Sequence, residues 1–216
     1  ISSFLLTQIS FSAFELIRSS AAFADPYAAG TGASATLAEA TAVGFTAEAL
    51  ERGTAVGAHA EASGYGATAV GRNAEASALF SNAFGTNSTA SGIYSTASGY
   101  ASTASGDLSI AIGFLSTASA LYSTASGYAS TAMAESSTAI GPIANASGIG
   151  SIAIGKNSNA MGLRSIALGQ STVAAYQNSV AIGAGASTDT SNQIVLGTAD
   201  DTVTIKGLAA LDSDLT

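Results

Sequence analysis

Few residues in this 216-residue chain could do chemistry. It has one histidine, no cysteine and no tryptophan. His59 stands in Gly57-Ala-His-Ala, and neither a thiol nor a paired carboxylate in a pocket-forming context accompanies it. Acid–base and metal chemistry need several converging groups, so the sequence predicts no catalytic residue, no cofactor and no metal site, and the protein reads as a non-enzyme. The 24 glycines recur too evenly to be a phosphate-cradling loop. Tyrosines give the one local binding signal. Ile93-Tyr-Ser-Thr-Ala-Ser-Gly-Tyr-Ala-Ser-Thr-Ala104 recurs almost unchanged from Leu121 to Ala132. Tyr94, Tyr100, Tyr122 and Tyr128 are therefore candidate ligand-binding residues, since exposed aromatic rings favour interfaces. Duplication of a repeat would produce the same string without any function. Asn87-Ser-Thr89 and Asn145-Ala-Ser147 match the glycosylation acceptor pattern, which arises often by chance in a Ser-rich chain.

The elements that position these residues are dictated by alanine. From Ala28 to Ala181 every seventh residue is alanine, apart from one six-residue step between Ala49 and Ala55. Glycine follows two residues after every second alanine, as in Gly99, Gly113 and Gly127, so the unit is fourteen residues in two similar halves. A heptad coiled coil fits poorly. Interior glycines cost a helix roughly 1 kcal/mol each, and the seam positions of a coiled coil must be apolar. A fixed short period over most of a chain marks a solenoid, and the fold class is read as all-β, a parallel β-roll of 14-residue coils with two short strands each.

Alternation then assigns faces. Residues two before the alanine, the alanine itself and two after are all small (Ser151, Ala153, Gly155; Ser158, Ala160, Gly162). Alternate residues of a strand share a side, so these line a thin interior. The inner serines, Ser81, Ser95, Ser109, Ser123, Ser137, Ser151, Ser165 and Ser179, are expected to hydrogen-bond to neighbours or backbone. On the opposite parity one half of the unit carries Val43, Val56, Val70, Phe84, Ile110, Ile112, Ile140, Ile152, Ile154, Ile166, Leu168, Val180, Ile182, Ile194 and Leu196. The other half carries mostly Glu, Thr, Asn and Ser. One sheet is thus expected to be polar outside and the other aliphatic, and an exposed apolar stripe marks an interface. These fifteen side chains form the expected oligomer interface, weaker between Gly85 and Gly141 where Ser98 and Ser126 interrupt it.

Composition narrows the partners. Hydrophobic residues make up 47% and charged residues 9%, with a net charge of -8 and six Lys plus Arg. Nucleic acid is excluded as a partner because phosphate neutralisation needs clustered cations. No run of eighteen apolar residues is uninterrupted, so the chain has no membrane-spanning helix by sequence. The expected organisation is an N-terminal apolar cap or processed segment over 1–27, the roll over 28–197, and a C-terminal strand and polar tail over 198–216. Residues 1–24 could be a signal segment, a cap or a polymerisation arm. The shortened step near Glu51, Arg52 and Gly53 should fall in a turn, Ala184 to Asn192 reads as a loop, Thr202 to Ile205 alternates as one more strand, and Asp200, Asp201, Asp212 and Asp214 suggest a polar end.

Ser151-Ile-Ala-Ile-Gly155, Ser165-Ile-Ala-Leu-Gly169 and Asn178-Ser-Val-Ala-Ile-Gly183 resemble the head repeat of trimeric autotransporter adhesins, the YadA-like head. The resemblance implies a left-handed roll, a homotrimer, display at a bacterial cell surface or secretion, and attachment to a host matrix protein, cell-surface ligand or other bacteria. Residues 92–133 depart from it by replacing Ile and Val with Thr and Ser. Two other functions stay open. The run Ser191 to Gly197 with Thr202 to Lys206 also resembles phage or virus tail-fibre proteins, which suggests a homopolymeric extracellular filament. The threonine row Thr89, Thr103, Thr117 and Thr131 suggests, more weakly, an ice-binding solenoid.

Overall fold

The computed structural model describes residues 26–204, and the expectations for residues 1–24 and for Asp212 and Asp214 lie outside them. Each unit contributes a three-residue strand, such as Thr96–Ser98, and a two-residue strand, such as Thr103–Ala104. The first kind stacks into a 13-stranded sheet, from Tyr27–Ala29 to Ile194–Leu196, and the second into an 11-stranded sheet, from Ser34–Ala35 to Val173–Ala174. All pairings are parallel and in the alanine register, Ala97 to Ala111 to Ala125 in one sheet and Ala104 to Ala118 to Ala132 in the other. The fold is an all-β parallel solenoid of fourteen-residue coils, and at about 4.8 Å per strand its thirteen levels span roughly 58 Å.

Methyl groups hold the two sheets together. Every periodic alanine from Ala42 to Ala181 is fully buried. From Ser81 onward the second inner position is usually serine, whereas in the N-terminal coils it is Ala40, Ala47, Ala60, Ala67 and Ala74. The short step is absorbed in the turn at Leu50 to Gly53, because Thr41 still pairs with Thr54 and Glu48 with Glu61.

The turns are tight for a physical reason. Each coil has two turn residues in the left-handed region, including bulky ones: Phe80 (φ 52°), Tyr94 (φ 56°) and the β-branched Ile143 (φ 58°). Such a conformation costs a non-glycine residue on the order of 1 kcal/mol or more. Bonds between coils offset it, for each of these residues donates its backbone N–H to the preceding coil: Phe80 to Tyr65 O at 2.9 Å, Tyr94 to Leu79 O at 2.9 Å, Ile143 to Tyr128 O at 2.8 Å. At the coil glycine no side chain is possible. Gly141 has φ 124°, and a Cβ there would lie 2.7 Å from the carbonyl oxygen of Gly155 on the next coil.

The buried serines behave less uniformly than expected. Ser81 Oγ donates to Ala78 O at 2.8 Å and accepts from Ala78 N at 3.2 Å, and Ser123 makes the same pair of bonds with Ala120. Ser137 accepts from Ala134 N, and Ser179 donates to Tyr176 O. Ser95, Ser109, Ser151 and Ser165 have no partner. In these four the residue three positions earlier is glycine (Gly92, Gly106, Gly148, Gly162), and its N–H turns to an alanine carbonyl of the next coil at 3.3–3.4 Å. Losing the alanine Cβ lets the coils close up there, as a Cβ on Gly106 would collide with Ala120 O. The hydroxyl is left behind by that rearrangement.

The C-terminal end also departs from expectation. Ala184 to Asn192 is not a plain loop: Ala186 is fully buried and Ser187 bridges to Val173 in parallel. Thr202–Thr204 form no strand, and Ile205 lies outside the described residues. Thr188 and the half-buried Val195 occupy the two alanine positions of the last coil, where Thr188 stays buried and Val195 still pairs with Ala181, and the roll ends after Leu196. Past Gly197 the chain makes a turn closed by Asp201, whose carboxylate accepts the Thr198 N–H at 2.6 Å and its hydroxyl at 3.0 Å. Those bonds, the backbone one first, hold the Asp201 carboxyl below its ordinary pKa.

Candidate assembly face and binding edges

The outward positions of the 13-stranded sheet hold all fifteen apolar candidates. Val56, Phe84, Ile110, Ile112, Ile140, Leu168, Ile182, Ile194 and Leu196 are exposed, while Val43, Val70, Ile152, Ile154, Ile166 and Val180 are half-buried against their neighbours along the column. In-register pairing places them in two columns, as in Ile152–Ile166 and Ile154–Leu168. The face is not uniform. Its N-terminal coils present Thr and Val, as at Thr54 and Val56. Thr96 with Ser98, and Thr124 with Ser126, make two polar rungs on either side of Ile110 and Ile112. From Ile152 to Leu196 every outward residue is aliphatic.

The 11-stranded sheet presents a different column. Glu48, Glu61 and Glu75 are exposed and stacked in register, followed by Thr89, Thr103, Thr117, Thr131, Asn145 and Asn159. The threonine row is thus four rungs long, ended by a carboxylate on one side and an amide on the other. Among the described residues no cluster of three or more His, Asp or Glu side chains is arranged to hold a metal ion. His59 is engaged locally, with Nδ1 2.6 Å from Thr46 Oγ1 and its ring edge-on to Phe45 at 5.3 Å.

The candidate tyrosines divide between the two edges where the sheets are joined. At the turn that leaves the 13-stranded sheet, Tyr100, Phe114 and Tyr128 stack in consecutive coils, with centroids 5.1 and 5.5 Å apart and planes within 11° and 5° of parallel. Because the rings are stacked along the rod, each presents its rim to solvent rather than its face. At the other edge Tyr94 and Tyr122 occupy one column with Leu108 between them. Sequence reasoning missed two members of that edge. Phe80 stacks on Tyr94 at 5.4 Å and Tyr65 meets Phe80 edge-on at 5.7 Å, with the Arg52 guanidinium 5.5 Å from the Tyr65 ring centre. Exposed Leu79, Ile93, Leu121, Ile149 and Leu163 extend the same edge. Writing the sequence in columns of fourteen aligns Phe80 with Tyr94 but sets Tyr65 in the neighbouring column with Leu79, and a search for an identical repeated string finds neither.

In comparisons with known proteins, the YadA head domain repeat (2 copies) matches seven stretches, the first five overlapping: residues 51–74, 62–88, 76–102, 90–116, 104–130, 132–158 and 160–186. No curated protein sequence matches the chain. Among solved structures, the collagen-binding domain of the Yersinia adhesin YadA is similar at 31% identity, covering 67% of this chain and 73% of that one with a TM-score of 0.48. The matched stretches run from the shortened turn to beyond the last strand of the 11-stranded sheet and take in more than half of the sequence, so the chain belongs to the YadA head-repeat family of adhesins.

Proposed function

We propose that this chain is the head of a trimeric bacterial surface adhesin, in which three copies join through the outward face of the 13-stranded sheet and leave the polar sheet and the aromatic edges to meet a ligand. The observation that carries the reading is the aliphatic face of the 13-stranded sheet, unbroken from Ile152 to Leu196, since monomeric proteins rarely expose so extended a patch. Completing the burial of fifteen partly exposed side chains at about 1 kcal/mol each is on the order of 15 kcal/mol per chain, against an association cost of roughly 4–15 kcal/mol. Membership in the family supports the number three and the surface location. The role is binding and assembly rather than catalysis. A solution mass at low concentration tests it: a discrete trimer is expected, a monomer overturns the assembly, and long fibres would favour the extracellular filament instead.

The ligand class proposed is a host matrix protein or a cell-surface molecule. The stacked edge Tyr100–Phe114–Tyr128 is the proposed contact, with Tyr94 and Tyr122 on the opposite edge as a second one. Replacing Tyr100 and Tyr128 together by Ser should weaken attachment to immobilised matrix proteins or host cells by tenfold or more, about 1.4 kcal/mol, while the solution mass stays that of the parent. Unchanged attachment would remove the tyrosines from the binding site.

A further inference from the structure

Two segments of the chain match the acceptor pattern for N-linked sugar, and the structure treats them differently. Asn87 is an exposed residue of the turn that leaves the 13-stranded sheet, the surface-loop setting such acceptors occupy. Asn145 lies inside the strand Asn145–Ala146, paired on both sides with Thr131 and Asn159.

Their amide groups are in opposite states. Asn87 uses its oxygen: Oδ1 accepts from Asn73 Nδ2 at 3.0 Å. Its nitrogen, the atom that would be modified, points along a column whose next residue is Ala101, and a methyl group cannot accept it. Asn145 uses its nitrogen, which donates to Asn159 Oδ1 at 3.0 Å, while its own Oδ1 is buried without a partner. A sugar on Asn145 would force a bulky group between the adjacent rungs of Thr131 and Asn159. Modifying Asn87 would keep the bond to Asn73.

We infer that Asn87, and not Asn145, is a site of N-linked glycosylation in the folded protein. The donor is a sugar activated as its diphosphate ester to a nucleotide or a lipid. In the transfer a bond forms between Asn87 Nδ2 and the sugar C1, the bond from C1 to the diphosphate oxygen breaks with its electron pair leaving on the diphosphate, and the amide nitrogen gives one proton to the transferase. Nothing is oxidised or reduced. The hydroxyl at the third acceptor position is Thr89, the first rung of the threonine row. This inference stands apart from the adhesin reading, because it concerns a turn and not the apolar face.

The experiment incubates the purified full chain with a soluble N-glycosyltransferase that recognises Asn-x-Ser/Thr and with UDP-glucose, and reads intact and peptide masses. A peptide spanning residues 84–92 serves as control for enzyme activity. The expected result is a gain of a single hexose, located on Asn87, lost in Asn87→Gln and kept in Asn145→Gln. A hexose on Asn145 in the folded chain overturns the inference. So does failure to modify the folded chain under conditions where the peptide is modified.

Discussion

The two sheets of the roll share one interior and differ most on their outer faces. Both are built on alanine every fourteen residues, both are parallel, and from Ala42 to Ala181 both hold these alanines at zero exposure. Yet one turns Ile, Val and Leu outward, and the other Glu, Thr and Asn. In a strand the two parities are independent, so the inner one can be fixed by packing while the outer one is free to be chosen for assembly or for water. The fold therefore depends on residues that say nothing about partners, and the partners on residues that say little about the fold.

The largest effect should separate the outer faces. Ile154→Asp should weaken assembly more than a hundredfold, roughly 3 kcal/mol per chain from lost burial and a desolvated carboxylate. Thr117→Asp, on the polar sheet, should leave the mass in dilute solution unchanged. Equal responses from the two variants would mean that the aliphatic face is not the contact. A second test probes what the sheets have in common. Ala111→Leu and Ala118→Leu put the same excess volume into the shared interior from opposite sides, and each should cost about 1–3 kcal/mol in chemical denaturation. A well-tolerated Ala118→Leu would show that the polar sheet lacks the packing of its partner. The smallest effect concerns the end where the 13-stranded sheet outlasts the other. Asp201 has its pKa lowered by the Thr198 bonds, so its contribution is present above the ordinary carboxylate pKa and lost as pH falls through the lowered value. The Thr198 amide resonance should shift in that acid range, and Asp201→Asn should abolish the step.

Most of this architecture was legible in the alanines. Their spacing yielded the strands, the register and the inner and outer faces, because a period of two residues and a period of one coil are both visible without knowledge of long-range contacts. The short step at Glu51 to Gly53 was legible for the same reason. Other features were not. Tyr94 and Ile143 disfavour left-handed backbone by themselves, and only closure of the coil and its bonds to the preceding turn put them there. In the column of Ser95 and Ser123 a partner is found with Ala120 but not with Gly92 three residues earlier, whereas Ser88 and Ser102 in the other column bond to the carbonyl of just such a glycine, a dependence on context that average preferences hide. Alternation misleads at Thr202 to Thr204, where it continues after the last paired strand, Ile194–Leu196, has ended. The edge formed by Tyr65, Phe80 and Tyr94 escaped because its first contact is offset by fifteen residues rather than fourteen.

The string from Ile93 to Ala104 and its copy from Leu121 to Ala132 lie two coils apart in perfect register. Copying twenty-eight residues therefore extends the molecule by about 10 Å with no change of cross-section and no new packing problem. Reach can be lengthened or trimmed in such increments like links in a chain, a quantity that simple duplication or deletion of DNA can adjust.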